Sequence, residues 1–237
     1  MSAQISFEKC LAFLNWQWNA ASRHTPPPPP APRTAITISR QAGSGAHAIA
    51  EKLVSRLEAQ MPKGAPPWTV FDRNLVEQVL ADHHLPIRLA QYMPEDRASQ
   101  VDDILDDLFG MKPSSWKFVE QTSETILRLA TLGHVILIGR GANIITARLP
   151  NVFHVRLIAP FEQRVAYVGE RLGLGRAAAA KHVRREDRGR TRYLKRYFHA
   201  DVDDPALYHL VINTGLVSYD EATDILAQAI SRPVAGG

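Results

Sequence analysis

The sequence predicts an α/β domain, a parallel five-stranded sheet covered by helices on both faces. Three observations predict it. Short apolar or β-branched runs alternate with segments of helical period along most of the 237 residues. A glycine-rich turn, Gln41-Ala42-Gly43-Ser44-Gly45, joins the first run to the first helix. The polar residues Asp72, Arg140 and Asn213 sit just past the ends of later runs, Asn213 read first as shaping its turn. In parallel sheets ligands gather at those carboxyl ends.

Each element has its own signal. Ala35 to Ser39 is a short β-branched strand, and Ile49, Leu53, Val54 and Leu57 put one apolar face on a helix over Ala48 to Leu57. Trp68 to Phe71 is a second strand, with Asp72 as N-cap of a helix over Arg73 to Ala81. Glu95 to Asp107 is helical and acidic, and Ser114 or Ser115 then opens a helix running towards Leu132 and stopping at Gly133. Val135 to Ile138 and Val152 to Ile158 are buried strands; Gly139-Arg140-Gly141-Ala142 follows the first, and Pro160 starts a helix after the second. A basic helix covers Arg176 to Phe198 behind a glycine hinge at Gly173 to Gly175. Tyr208 to Ile212 is the last strand, and the capping box Ser218-x-x-Glu221 opens a closing helix through Ile230.

The chain divides before this domain. Pro26 to Pro30 is an unbroken proline run, which predicts an extended spacer over 25–34. Residues 1–24 ahead of it form an amphipathic helix with Phe7, Cys10, Leu11, Leu14 and Trp18 on one face. Two readings stay open: the helix folds back on the main domain, or it serves self-association or docking to a partner. The main domain is expected over 35–232. A lone Cys10, the lack of a signal-peptide pattern and the lack of an apolar run of about 18 to 20 residues point to a cytoplasmic protein without membrane contact. No His/Cys spacing suits zinc. A net charge of +4 suits an anionic ligand and equally plain solubility.

The chemistry concentrates in the glycine turn. Gly43 and Gly45 let backbone approach a ligand, and the N–H groups opening the next helix point at an anion with the helix dipole behind them. Laid on G-x-x-x-x-G-K-[ST], Gly45 takes the second glycine, Arg40 the first, Ala46 the lysine and His47 the hydroxyl residue. Losing the lysine costs one charge-assisted hydrogen bond, about 1.5–3 kcal/mol, while the backbone donors survive. Arg40, entering from the strand side, is the expected substitute cation. His47 is read as a hydrogen-bond donor to phosphate or as a plain surface histidine, since magnesium prefers oxygen.

Arg176 to Phe198 holds nine Lys or Arg against two acids, Glu186 and Asp187. Arg185, Arg188 and Arg192 share one helical face, an arrangement suited to clamping phosphate. Tyr193, Tyr197 and Phe198 interleave with the charges, but no nucleic-acid-binding motif accompanies them, so nucleic acid is not the expected partner.

From about Ala35 to Ile230 the chain resembles the cytidylate-kinase-like proteins, a branch of the P-loop nucleoside-monophosphate kinases. The resemblance rests on Ile38-Ser39-Arg40 before Gly43-Ser44-Gly45, Phe71-Asp72-Arg73, Gly139-Arg140-Gly141-Ala142, Asp187-x-x-Arg190-x-x-Tyr193 and Tyr208-x-x-Val211-Ile212-Asn213-Thr214. It implies a P-loop NTPase fold with a helical lid, here about 173–200, and transfer of the ATP γ-phosphoryl group to CMP or dCMP with Mg2+. Gly43, Ser44, Gly45, Ala46 and His47, with Arg185 and Arg192, would hold the donor phosphates. Arg140, Asp72 and Asp187 would face the acceptor, and Arg40, Arg188 and Arg190 would neutralise the transferring group. Ile138 and Gly141 depart from the acids that authentic cytidylate kinases carry around Arg140. Asp72 is equally read as a helix cap, and a regulator that binds nucleotide without turnover remains the alternative.

Overall fold

The computed structural model describes residues 33–62, 65–72 and 117–231. The helix over 1–24, nearly all of the proline spacer, the helix over 73–81, the acidic segment 95–107 and the serines at 114 and 115 lie outside the described residues.

The sheet has five parallel strands, β1 (Ala35–Arg40), β2 (Thr69–Phe71), β3 (Val135–Ile138), β4 (Val152–Ile158) and β5 (Leu210–Asn213), in the order β2-β3-β1-β4-β5. Six helices accompany them among the described residues: α1 (Ala46–Glu58), α2 (Lys117–Leu132), α3 (Ala142–Ile145), α4 (Phe161–Leu172), α5 (Arg176–Phe198) and α6 (Tyr219–Ile230). Because β1 sits between β3 and β4, the chain reverses its direction across the sheet there, and the crevice beyond β1 is the site such sheets offer a ligand.

Strand alternation decides which helix covers which face. Ile36 and Ile38 of β1, with Ile136 and Ile138 of β3 and Val155 and Leu157 of β4, pack against Ile49 and Leu53 of α1 and Leu226 and Ile230 of α6. The opposite face carries Ala35, Leu137 and Val152, covered by Ile126, Leu127 and Leu129 of α2 and Ile145 of α3. A smaller cluster joins α4 to α5 through Val165, Val168, Ala179 and Val183, with Ala42 of the glycine turn inside it. Leu53 is fully buried, a burial that contributes about 1.5–3 kcal/mol.

The second face of β1 and β4 is partly polar. Thr37 and His154 are both buried, and the Thr37 hydroxyl lies 2.9 Å from His154 Nδ1. His209 Nδ1 accepts the His154 N–H at 2.9 Å, and the two rings are 5.0 Å apart. Burial pushes His154 down to about 4, with His209 adding to the shift.

Most element boundaries agree with the sequence to within two residues. β5 differs in starting at Leu210: Tyr208 is held instead by its hydroxyl, which donates to Val202 O at 2.9 Å and Ser39 Oγ at 3.2 Å. The capping box at Ser218 and Glu221 is formed as its pattern predicts.

Candidate active site

The glycine turn leaves the end of the central strand and is braced from both sides. Gly43 has φ +83°, and an added Cβ would lie 2.6 Å from the Arg164 carbonyl oxygen; at Gly45, φ +81°, it would overlap the Tyr219 ring. Both positions therefore exclude side chains for reasons of conformation and of space. Ser44 is buried, its hydroxyl donates to Gln41 O at 2.9 Å, and its carbonyl accepts from Thr214 Oγ1 at 3.1 Å. Gly45 is the N-cap of α1 and gives no side-chain cap, so no side-chain oxygen occupies the anion-binding end of that helix.

Ala46, where the phosphate-loop pattern has lysine, is 5% exposed and belongs to the α1–α6 core. His47 Nε2 lies 3.3 Å from Asp72 Oδ2, which ties the start of α1 to the end of β2. Magnesium is a hard ion that takes oxygen ligands, whereas this corner offers an imidazole and a serine hydroxyl already engaged with backbone. Among the described residues no group of three His, Cys, Asp or Glu could hold a metal ion. Apart from Asp72 the donor set does not fit a protein-held magnesium.

Three guanidiniums meet in front of the turn. Arg40 is half-buried, and its Nη1 occupies the space that a Cβ at Gly139 would need, so glycine at 139 is what lets the guanidinium lie across the end of β3. Burial, then the neighbouring Arg190 and Arg140, push Arg40 down to about 9 against the pull of Asp72 and Glu186; it remains a cation at neutral pH. Among the described residues it makes no ion pair with a carboxylate. Arg140 has φ +55° and lies over the Tyr193 ring, 5.8 Å from its centroid. A positive φ at a non-glycine residue is uncommon and collects at functional sites.

The lid helix α5 is latched to the turn. Asp187 Oδ1 accepts the Ala42 N–H at 2.7 Å, and its Oδ2 accepts from Arg164 Nη1 at 2.6 Å. Arg164 is itself buried and also donates to Ala42 O. Arg190 donates to Asp187 Oδ1 at 3.2 Å and lies 3.6 Å from Glu186. Burial lowers Arg190, against the opposing pull of Asp187 and Glu186.

The structure thus brings together Arg40, the loop Gly43–His47, Asp72, Arg140, Asp187 and Arg190. Arg185, Arg188 and Arg192 stand on the exposed side of α5: Arg188 and Arg192 donate to the carbonyls of Arg184 and Arg188 one turn back, and Arg185 lies against His182 and Glu186. Sequence reasoning missed Arg164 and Arg156. Their signal was present: Arg164 stands at apolar-face spacing among Phe161, Val165 and Val168, and Arg156 lies inside a strand that is apolar apart from it and His154. A broader hollow, about 340 Å³, lies on the outer side of α6 and is lined by Leu216, Val217, Glu221, Asp224, Ile225 and Gln228, without a cation.

Against known proteins, a model of the cytidylate kinase-like family matches residues 35–216, most of the chain. The chain belongs to the cytidylate kinase-like family. Its sheet is all parallel, in the order β2-β3-β1-β4-β5 with helices on both faces, and the glycine turn leaves the end of the central strand. Among solved structures, an uncharacterized protein from Eubacterium ventriosum is similar at TM-score 0.57 and 23% identity, over 84% of this chain and 99% of that one. Shikimate kinase from Bacteroides thetaiotaomicron is similar at TM-score 0.45 and 10% identity, over 84% and 99% of the two chains. Among curated proteins, uronate isomerase of Corynebacterium glutamicum is 31% identical over 116 residues, 49% of this chain. The match spans only 22% of that protein's length. No described helix is long and apolar enough to cross a membrane.

Proposed function

We propose that this member of the family is a phosphotransferase that moves the γ-phosphoryl group of MgATP to a nucleoside monophosphate, CMP or dCMP, with Arg40 standing in for the lysine of the phosphate loop. The observation that carries this reading is the Arg40 guanidinium, held against Gly139 beside Arg140 and Arg190 with no carboxylate paired to it among the described residues. A guanidinium crowded by other cations and paired to no carboxylate favours an anion beside it.

The chemistry asked of these residues is positioning and charge neutralisation. The glycine turn and the first turn of α1 bind the donor phosphates. Arg140, steadied by Tyr193, orients the acceptor phosphate. An oxygen of that phosphate forms a bond to the γ-phosphorus as the bond to the β–γ bridging oxygen breaks, and ADP leaves with the electron pair. The acceptor oxygen is already anionic and needs no general base. Arg40 and Arg190 sit at the charge that spreads over the transferring oxygens. The latch at Asp187 closes α5 over the turn and keeps water out. The catalytic unit is taken as 35–232, with the lid at 173–200.

A second reading, a nucleotide-binding regulator without turnover, is favoured by one observation: the lysine position is filled by a buried alanine. The deciding experiment screens nucleoside monophosphates, then other small phosphate or hydroxyl acceptors, for ADP release with MgATP. Release that requires both ATP and CMP supports the cytidylate reading; release with another acceptor keeps the kinase and corrects the substrate. Nucleotide-dependent thermal stabilisation with no release under any acceptor selects the regulator.

A further inference from the structure

Arg156 has no part in the chemistry above, yet it is a buried cation beside it. It lies on β4 beside Ser39 of β1 and is 4% exposed. A guanidinium is not left in such a place without a counter-charge. Its Nη1 donates to Ser39 Oγ at 3.0 Å, its Nη2 to Asp203 Oδ1 at 2.5 Å, and it lies over the Tyr208 ring, 5.7 Å from the centroid. The counter-charge is of an unusual kind. Asp203 stands on an irregular segment after the lid helix, and its side chain is 68% exposed. A buried cation is therefore neutralised by a carboxylate that solvent can reach and that has no wall of protein to hold it.

A pocket of about 50 Å³ opens against this pair, lined by Arg40, Gln41, Arg156, Asp187, Arg190, Thr191, Val202 and Asp203. The Asp187 charge is committed to Arg164, Arg190 and the Ala42 N–H. The Gln41 side-chain Oε1 is committed to the Ala159 N–H, which it accepts at 3.0 Å. What faces the cavity uncommitted in sign is cationic: Arg40, and Arg156 once its exposed carboxylate turns away. The space is too small for a nucleobase and comparable to a single tetrahedral group.

We propose that Arg156 and Arg40 form an oxyanion subsite on the β4 side of the glycine turn, which takes a phosphate group, and that Asp203 is the built-in counter-ion that this group displaces. A phosphate dianion offers more charge and more acceptor oxygens than one carboxylate, so exchange is favourable where the carboxylate is largely exposed and, among the described residues, held by Arg156 alone. Its role in turnover rests on the phosphotransferase reading, as a contact to the acceptor's phosphate additional to Arg140 or as the seat of a free phosphate bound beside the nucleotide; the binding itself does not depend on that reading.

The test uses the full chain and inorganic phosphate as probe, titrated by calorimetry at fixed ionic strength, with MgATP binding measured separately. Asp203→Asn keeps the shape and removes the competing charge, so phosphate affinity rises about tenfold. Arg156→Gln lowers it at least tenfold while MgATP affinity stays within about twofold. If CMP competes with phosphate, the subsite holds the acceptor's phosphate; if both bind together, it holds a free anion, and either result supports the subsite. A pair that only pins the segment after α5 gives the opposite pattern: Asp203→Asn loses stability without any gain in phosphate affinity, and that result overturns the proposal even if Arg156→Gln fails to fold. Failure of turnover with normal phosphate binding counts against the kinase reading alone.

Discussion

Asp187 of the lid accepts the Ala42 N–H of the glycine turn at 2.7 Å, so one carboxylate joins the lid helix to the backbone that is expected to hold nucleotide. The same carboxylate balances Arg164, whose side chain is 8% exposed. Asp187→Asn removes that balance and leaves Arg164 buried and charged. Global stability should fall by about 2–4 kcal/mol, read from urea unfolding at neutral pH. A loss below about 0.5 kcal/mol would show that the latch is not structural.

The two faces of α5 should behave differently in turnover. Arg190 faces the site, and Arg185, Arg188 and Arg192 face solvent. Arg40→Ala and Arg190→Ala should each lower kcat about a hundredfold to a thousandfold, the range for loss of one charge-stabilising group. The triple change of Arg185, Arg188 and Arg192 to alanine should leave kcat within about threefold. An equal loss in both sets would mean that the lid turns its outer face inward during the reaction.

Two positions of the turn, Gly43 and Gly45, tolerate no Cβ. Gly43→Ala meets the Arg164 carbonyl oxygen, which is backbone and cannot swing aside, whereas Gly45→Ala meets the Tyr219 ring. Both carry about 1–2 kcal/mol of left-handed strain in addition. Nucleotide-dependent thermal shifts should disappear in both variants, and adding Tyr219→Ser should recover part of the shift for Gly45→Ala only.

Stability should fall in mild acid. His154 is held near 4 by burial and by His209, and burial also lowers His209 and His134. Above pH 6.5 neither folded nor unfolded chain protonates His154, and the full stability is present. Between 6.5 and about 4 the unfolded chain binds the proton first, so stability drains away as pH falls, by roughly 3 kcal/mol for His154 in full. Urea midpoints from pH 7.5 to 4.5 should show this slope, and His154→Gln should flatten most of it.

The layering was legible because burial writes itself as period. Ile36 and Ile38, or Ile49 and Leu53, announce their elements and their faces without reference to any partner. The glycine turn and Arg140 were legible because they lie at strand ends. The inner face of α5 was not. Its buried stripe runs through Ala179, Val183 and Leu194, and Asp187 and Arg190 complete it at helical spacing, but two charges conceal an apolar period. Arg164 and Arg156 were missed for a related reason: their carboxylates are 23 and 47 residues away in sequence, and nothing local marks a pair closed by tertiary folding.

Ala46 makes a lysine at its own position costly. Its methyl group is packed into the core between α1 and α6, and Arg40 has meanwhile taken the space that glycine leaves at 139. Putting lysine back would thread a long stem into a filled layer and bring a further cation towards a guanidinium already crowded by its neighbours. A lysine at 46 is therefore not a local exchange: a designer who wants one there has to reopen the α1–α6 layer and relieve the charge at Arg40 in the same variant.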